Sequence, residues 1–442
     1  MDDDELMLWN GAVTHRAAAV ARCRSADEVS AAVRRARADG LPLSVLGGGH
    51  DWTGRAIRPD AMVIDLRGMR TVTVDGDVAV VGGGATAADL VAGAAEHGRS
   101  AATGTVGAVG MAGLTLGGGY GPLCGVAGLA LDNLLSAEVV LADGSIVTTD
   151  EDTLPDLFWA LRGGGGNFGV VTSTRIRLHR IPRVYAGFVF FPLTAATDVL
   201  DGFAELSGAA PDELTAQTGV ISGQDGTPTL FVNPTWSGPL ADGAYWVNRI
   251  AKLGTPAMVH AGPVDYAEPL RRGDQKFAAD GRHYAIRTRT LAALTPDANQ
   301  AIVAAGADRT SPLSAVSIHH FHGAATRVPL EATAFGLRQD HFMVEILASW
   351  RPGAGDEGAH RRWADETADM LRPFALPGGY PNLLADSHHD QIAHAYGPHT
   401  GRLLKAKARF DPDGIFSAIP LPVPVPVPVP SRATYPAKTG EA

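Results

Sequence analysis

A histidine behind three glycines and a glutamate inside an apolar run are two places in this chain where residue type and spacing point to chemistry. Leu43-Ser44-Val45-Leu46 runs directly into Gly47-Gly48-Gly49-His50. Glycines lack a Cβ, so several backbone N–H groups can crowd around one phosphate, and positive φ costs them nothing. An imidazole at the lip of such a turn is a nucleophile beside whatever carries the phosphate. The same residues equally describe a tight strand-ending turn with an incidental surface histidine. Glu345 sits in Phe342-Met343-Val344-Glu345-Ile346-Leu347-Ala348-Ser349-Trp350. As a strand, this run puts Phe342, Val344, Ile346, Ala348 and Trp350 on one face and Met343, Glu345 and Leu347 on the other. A carboxylate so placed is costly unless it is paired or serves as a proton acceptor. A partly solvated edge-strand glutamate is the plainer alternative. His319, His320 and His322 crowd one strand, with His319 facing away from the other two. No carboxylate or cysteine spacing supports a metal triad there, which leaves substrate hydrogen bonding or solvated histidines.

The elements that must position these groups are readable in outline. Ser25-Ala26-Asp27-Glu28 caps a helix through Ala38, with Val29, Ala32, Val33 and Ala36 at helical spacing. Short strands follow at 42–46, 62–66 and 78–81, then a helix from Ala87 to His97. A second glycine-dense region spans Gly104 to Gly128. Residues 137–148 read as a strand–turn–strand hairpin, 156–162 as a short helix, and 170–178 as a strand. Gly164-x-Gly166-x-x-Gly169 matches the dinucleotide fingerprint literally. That fingerprint needs a strand before it and a helix after it, whereas here a helix precedes and a β-branched strand follows. No P-loop motif occurs. Beyond Pro182 the glycine density falls, as a second domain would show. Pro420 to Pro430 repeats Val-Pro and reads as solvated polyproline II or a disordered tail.

Composition narrows the function classes. The chain has 442 residues, is 45% hydrophobic and 19% charged, and carries 53 glycines. A net charge of −10 without a basic run argues against nucleic acid as a partner. The two cysteines, Cys23 and Cys124, support neither a disulfide framework nor a thiolate metal site. The acidic start, Met1-Asp2-Asp3-Asp4-Glu5, lacks a signal-peptide layout, and no apolar run is long enough to span a membrane. The expected location is the cytoplasm.

Taken in order, the motifs resemble a known family. Gly47-Gly48-Gly49-His50, Val109-Gly110-x-x-Gly113, Gly117-Gly118-Gly119-Tyr120-Gly121, Gly128-Leu129-x-x-Asp132-Asn133, Leu157-Phe158-Trp159-Ala160-Leu161-Arg162-Gly163 and Asn167-Phe168-Gly169-Val170-Val171-Thr172 carry the likeness. Tyr396-Gly397, Arg402-Leu403, Lys405 and Asp411-Pro412 complete it. The series resembles flavoproteins of the vanillyl-alcohol-oxidase/PCMH type, and among them the berberine-bridge-enzyme-like oxidases. The resemblance implies an α+β fold. A PCMH-type FAD-binding domain would occupy residues 1–184 and a substrate domain, with an antiparallel sheet covered by helices, residues 185–380. Residues 381–420 would return to the FAD domain, and 421–442 would form the Pro/Val-rich tail.

FAD is the cofactor so implied, joined by one covalent bond from His50 to the flavin 8α-methyl. Many relatives add a cysteinyl bond, but Val106 stands at that position, so no second link is expected, as in hydroxynicotine-oxidase-like relatives. The implied FAD contacts are Leu46, Gly47, Gly48, Gly49, Asp51 and Gly54 around His50, then Thr105, Val106, Val109, Gly110, Gly113, Leu114, Gly117, Gly119, Tyr120 and Gly121. Asn167, Gly169, Val170, Val171, Tyr380 and Asn382 add to them. Glu345 falls at the family's base position. Trp52 falls where relatives often place a substrate-contacting tyrosine, Tyr380-Pro381-Asn382 resembles a segment beside the flavin, and Tyr396 is a further candidate wall residue. Leu383 stands where many relatives carry an aromatic residue. The small Val109 stands where small residues accompany oxygen access. The implied activity is oxidation of a small alcohol, amine or phenolic metabolite, with O2 as re-oxidant and hydrogen peroxide as product. A dehydrogenase using another acceptor and a non-catalytic flavin carrier are the alternatives.

Overall fold

Ser25 opens the first helix as its type predicts: its hydroxyl accepts the Glu28 N–H, and Ala26–Ala38 buries Val29, Val33 and Ala36. The structure is a computed structural model describing residues 6–223 and 225–422, so most of the expected Pro/Val tail lies outside the described residues. Among them the strands form three sheets. Ala19–Arg22, Met62–Asp65 and Leu43–Leu46 pair in parallel, with Leu43–Leu46 at one edge. The second sheet is antiparallel, in the order Val72–Asp75, Val78–Gly82, Val170–His179, Leu134–Val140, Ile146–Thr149, with Ser100–Ala101 paired to Val170–His179. The expected hairpin of residues 137–148 is its last pair.

The third sheet has seven strands, all antiparallel. Its order is Met258–Asp265, Arg183–Pro192, Pro228–Trp236, Leu214–Ser222, Ala315–Phe321, His341–Trp350, His283–Leu291. Helices Ala196–Gly208, Pro296–Ala307 and Glu357–Leu371 cover one face, burying Phe203, Ile302, Trp363 and Leu371 against Val344, Ile346 and Trp350. The other face turns towards the glycine-rich half. The expected α+β architecture, with helices on an antiparallel sheet, is therefore what the chain adopts.

Several contacts tie the segments of the chain together, and two of them show how. Asp132 accepts two hydrogen bonds from the Arg338 guanidinium, at 3.0 and 2.8 Å, with both side chains buried. Removing one member of such a pair strands a buried charge. Helix Thr400–Phe410 packs Leu403, Ala406 and Phe410 against Leu157 and Leu161 of Pro155–Gly164. Lys407 then donates to the carbonyls of Asn167 at 2.7 Å and Phe416 at 2.6 Å. The C-terminal segment thus returns to the N-terminal half.

Candidate active site and cofactor cleft

Glycine backbones make one wall of a cavity of about 430 Å³. Gly47, Gly48, Gly49 and His50 leave the edge strand of the parallel sheet and meet Val109-Gly110. A Cβ on Gly48 would lie 2.3 Å from the Gly110 nitrogen, and one on Gly110 would lie 2.5 Å from the Gly48 nitrogen. Only two glycines allow backbones so close. Gly49 has φ of +70°, the left-handed region that ends the strand. Among the described residues, none accepts a hydrogen bond from the N–H groups of Gly47, Gly48, Gly49 or His50. Four consecutive free donors on a cavity wall make an anion cradle. Gly165, Gly166 and Gly169 line the same cavity, so the turn that fails the dinucleotide fingerprint contributes backbone in another setting.

His50 stacks on Trp9, with ring centroids 5.5 Å apart, and Trp9 stacks in turn on Tyr284 at 3.7 Å. Burial pushes the His50 pKa down to about 4. Its imidazole is therefore neutral at ordinary pH and keeps the lone pair a nucleophile needs. Asp51 is absorbed locally: it accepts from the Thr53 N–H and hydroxyl and pairs with Arg55 at 2.7 Å. Trp52 lines the cavity with its ring while its indole N–H donates to the Leu383 carbonyl at 3.1 Å.

The opposite wall is the open face of the seven-stranded sheet. Alternation selects its residues: Ala315, Ser317 and His319 from one strand, Met343, Glu345 and Leu347 from the next. Glu345 stands opposite Ser317 in register, and its carboxylate lies 3.5 Å from His319 Nε2. Gln217 Nε2 approaches Ser317 Oγ at 2.6 Å and His319 at 3.3 Å. A carboxylate, an imidazole, a hydroxyl and an amide thus share one patch facing the glycine cradle. His320 turns to the other side, stacked on His322 and Phe342 at 4.4 and 4.5 Å. Among the described residues no histidine, cysteine or carboxylate group is arranged to hold a metal.

Most expected contacts reach the cavity. Thr105, Val106, Val109, Gly110, Gly113, Leu114, Tyr120, Gly169, Val170, Val171, Tyr380 and Asn382 all line it. The Tyr380 hydroxyl accepts from Gly119 N–H at 2.8 Å, and Asn382 donates to the Leu114 carbonyl at 3.1 Å. Other expectations need correction. Tyr396 is fully buried in the core beside the C-terminal helix, where its hydroxyl donates to the Pro420 carbonyl at 3.1 Å, and it does not line the cavity. Leu46 points into a core cluster with Leu8, Ile57 and Val63. Gly54 abuts Val13, Gly117 gives room to the Asn382 side chain, Gly119 to Ala130, and Gly121 to the Thr103 carbonyl. The Asn167 amide donates to the carbonyls of Gly164 and Ile419. These residues shape the loops without lining the cavity. No cysteine lines it either, and burial pushes the Cys124 thiol up to about 12. Sequence reasoning missed Trp9, Gln217 and Lys276, which line the cavity from elements without motifs.

Comparisons with known proteins agree with this geometry. A family model described as an FAD binding domain matches residues 17–150. The (R)-6-hydroxynicotine oxidase of Paenarthrobacter nicotinovorans is 31% identical over 92% of this chain and 92% of its own. The crystal structure of 6-hydroxy-D-nicotine oxidase from Arthrobacter nicotinovorans superposes with a TM-score of 0.84 at 30% identity, covering 95% of this chain and 96% of that one. The glucooligosaccharide oxidase of Acremonium strictum, described with 6-S-cysteinyl, 8α-N1-histidyl FAD, shares the fold at a TM-score of 0.84 and 24% identity, over 96% of this chain and 97% of that one. The cavity suits FAD, since four free backbone donors await a phosphate at one wall and a neutral imidazole stands beside them. The chain belongs to the berberine-bridge-enzyme-like FAD-linked oxidoreductases of the vanillyl-alcohol-oxidase/PCMH flavoprotein family.

Proposed function

We propose that this FAD-dependent enzyme is an oxidase for a small alcohol, amine or phenolic metabolite, with Glu345 as the proton acceptor and His50 as the single covalent anchor of the flavin. Held by the glycine backbone of residues 47–50 and by His50, FAD would supply a two-electron acceptor for the substrate's hydride, with O2 as re-oxidant and hydrogen peroxide as the product. The observation that carries the reading is Glu345 on the sheet face opposite the glycine cradle, in one cavity with His50. Glu345 takes the proton from the substrate O–H or N–H as the hydride leaves the adjacent carbon. His319, with Nε2 3.5 Å from that carboxylate, orients it. Trp52 and Asn382 close the walls around the reacting groups. Val106 stands where the second, cysteinyl bond would need sulfur, and Cys23 and Cys124 are both buried elsewhere.

Acid denaturation tests the anchor. Yellow colour should stay with the precipitated wild-type chain and leave with the supernatant from His50→Ala. Colour released from both proteins would make His50 a non-covalent pocket residue. Re-oxidation tests the oxidase reading: a reduced flavin that recovers its absorbance in air with stoichiometric peroxide supports it, and one that recovers only with an artificial acceptor makes the enzyme a dehydrogenase.

A further inference from the structure

The cavity's sheet wall offers a single formal charge, Glu345, but a second element brings cations to the same space. Helix Ala267–Lys276 lies on the 105–108 turn. A Cβ on Gly273 would fall 2.1 Å from the Thr105 carbonyl oxygen, and Asp274 accepts the Ala108 N–H at 2.7 Å. This close seat sets Arg272 and Lys276 on the cavity wall. Arg272 is occupied, paired with Glu268 at 3.2 Å. The Lys276 ammonium makes no hydrogen bond or ion pair among the described residues, while the residue's backbone carbonyl accepts from the Arg282 guanidinium at 2.9 Å. Its ammonium lies 5.4 Å from the ring centroids of both Phe231 and Phe277.

A lysine in the last turn of a helix complements the helix dipole, but that role is served equally well in open solvent. Here the group opens onto a cavity ringed by protein. Burial pushes its pKa down to about 8, with Arg309 and Arg282 acting in the same direction and Glu345 opposing them. Two aromatic faces lie within reach of the ammonium, and Glu345 acts on it across the cavity without pairing with it directly.

We propose that Lys276 is the counter-ion for a carboxylate on the substrate, so that the enzyme selects an alcohol or amine bearing an acidic group remote from the carbon it oxidises. The inference rests on the reading of this cavity as the substrate site. Lys276 and Glu345 then act as two poles. The acidic group of the substrate turns to the ammonium, and its O–H or N–H turns to Glu345 and His319. Phe188, Phe231 and Phe277 flank the space between with aromatic surface, which suits a planar or ring-sized body.

Benzoate and benzamide, alike in shape and different in charge, test this by calorimetric titration of the flavin-loaded enzyme at pH 7. Benzoate should bind at least tenfold more tightly than benzamide in wild type. Lys276→Met should abolish that preference while leaving benzamide affinity and flavin content unchanged, and Lys276→Arg should keep most of it. Equal affinity for the two probes in wild type, binding of neither, or a preference that survives in K276M overturns the proposal. The calorimetric preference does not depend on turnover. A chain whose flavin no substrate reduces would therefore defeat the oxidase reading alone, and the two failures stay distinct.

Discussion

On one side of the cleft contact is made by backbone; on the other it is made by side chains that alternate along strands. The glycine side works by subtraction. Gly48 and Gly110 approach so closely that neither tolerates a Cβ, and the free N–H groups of residues 47–50 are the product. The sheet side works by placement. Its strands supply a face at period two, and Ser317, His319 and Glu345 are whatever residues fall on that face. A backbone surface can hold the same group whatever the neighbouring side chains become. A side-chain surface can be rewritten one position at a time. On the function proposed above, the glycine wall that takes the cofactor is constrained throughout, and the sheet wall that takes the substrate is where selectivity can change.

The largest effect expected is on the backbone side. Gly48→Val should yield protein with no bound flavin, read from the ratio of visible to ultraviolet absorbance, because its Cβ would meet Gly110 backbone 2.3 Å away. Normal flavin content in that variant would show that the two turns can separate, and the contrast drawn above would fail. On the side-chain side, Glu345→Gln should retain flavin and lose roughly 10²–10⁴-fold in the rate of flavin reduction, the usual weight of a general base. A loss below tenfold in rapid-mixing experiments would remove Glu345 from the chemistry.

Acid separates the regions less sharply. Burial pushes His50 on the glycine side and His322 and His341 on the sheet side down to about 4. Between about pH 6.5 and 4 the unfolded chain binds protons that these folded imidazoles refuse, so stability falls as pH falls through that window. The melting temperature should drop by several degrees from pH 7 to pH 4.5. His341→Gln should flatten that slope; an unchanged slope would assign the loss to other groups. The smallest effect is reserved for Tyr396, which belongs to neither wall. Tyr396→Phe removes one hydrogen bond to the Pro420 carbonyl. It should cost about 1 kcal/mol in denaturant titration and leave flavin reduction untouched. A change in reduction rate would return Tyr396 to the site.

The same contrast explains what could be read from the chain. Glycine-built turns leave their mark in residue type, so the segments around 47–50, 104–113 and 164–169 were visible as clusters before any fold was known. Alternation exposed the Glu345 strand and turned His319 away from His320, because a period of two is a local property. Tyr396 was misplaced because a tyrosine in a motif reads alike whether its ring lines a cavity or fills the core. Lys276 carried no signal at all. Its helix is amphipathic like many surface helices, and only the seating of Gly273 on Thr105, distant in sequence, turns that residue inward. Gln217 escaped for the same reason, since its meaning arises across strands paired from residues 214–222 and 315–321.

The return of the C-terminal segment has a consequence for biosynthesis. Phe416, Ser417, Ala418 and Ile419 line the cleft whose other glycine turns lie in the first 170 residues. A ribosome delivers the first of these turns long before the last lining residue, and emerging domains begin to fold as they appear. The nascent N-terminal half therefore exposes its nest of amides with one boundary missing. The lining is complete only once translation has passed residue 419 and Lys407 bridges the Asn167 and Phe416 carbonyls. The cleft is in this sense a property of the completed polypeptide: chains that stall early lack the boundary that residues 416–419 supply.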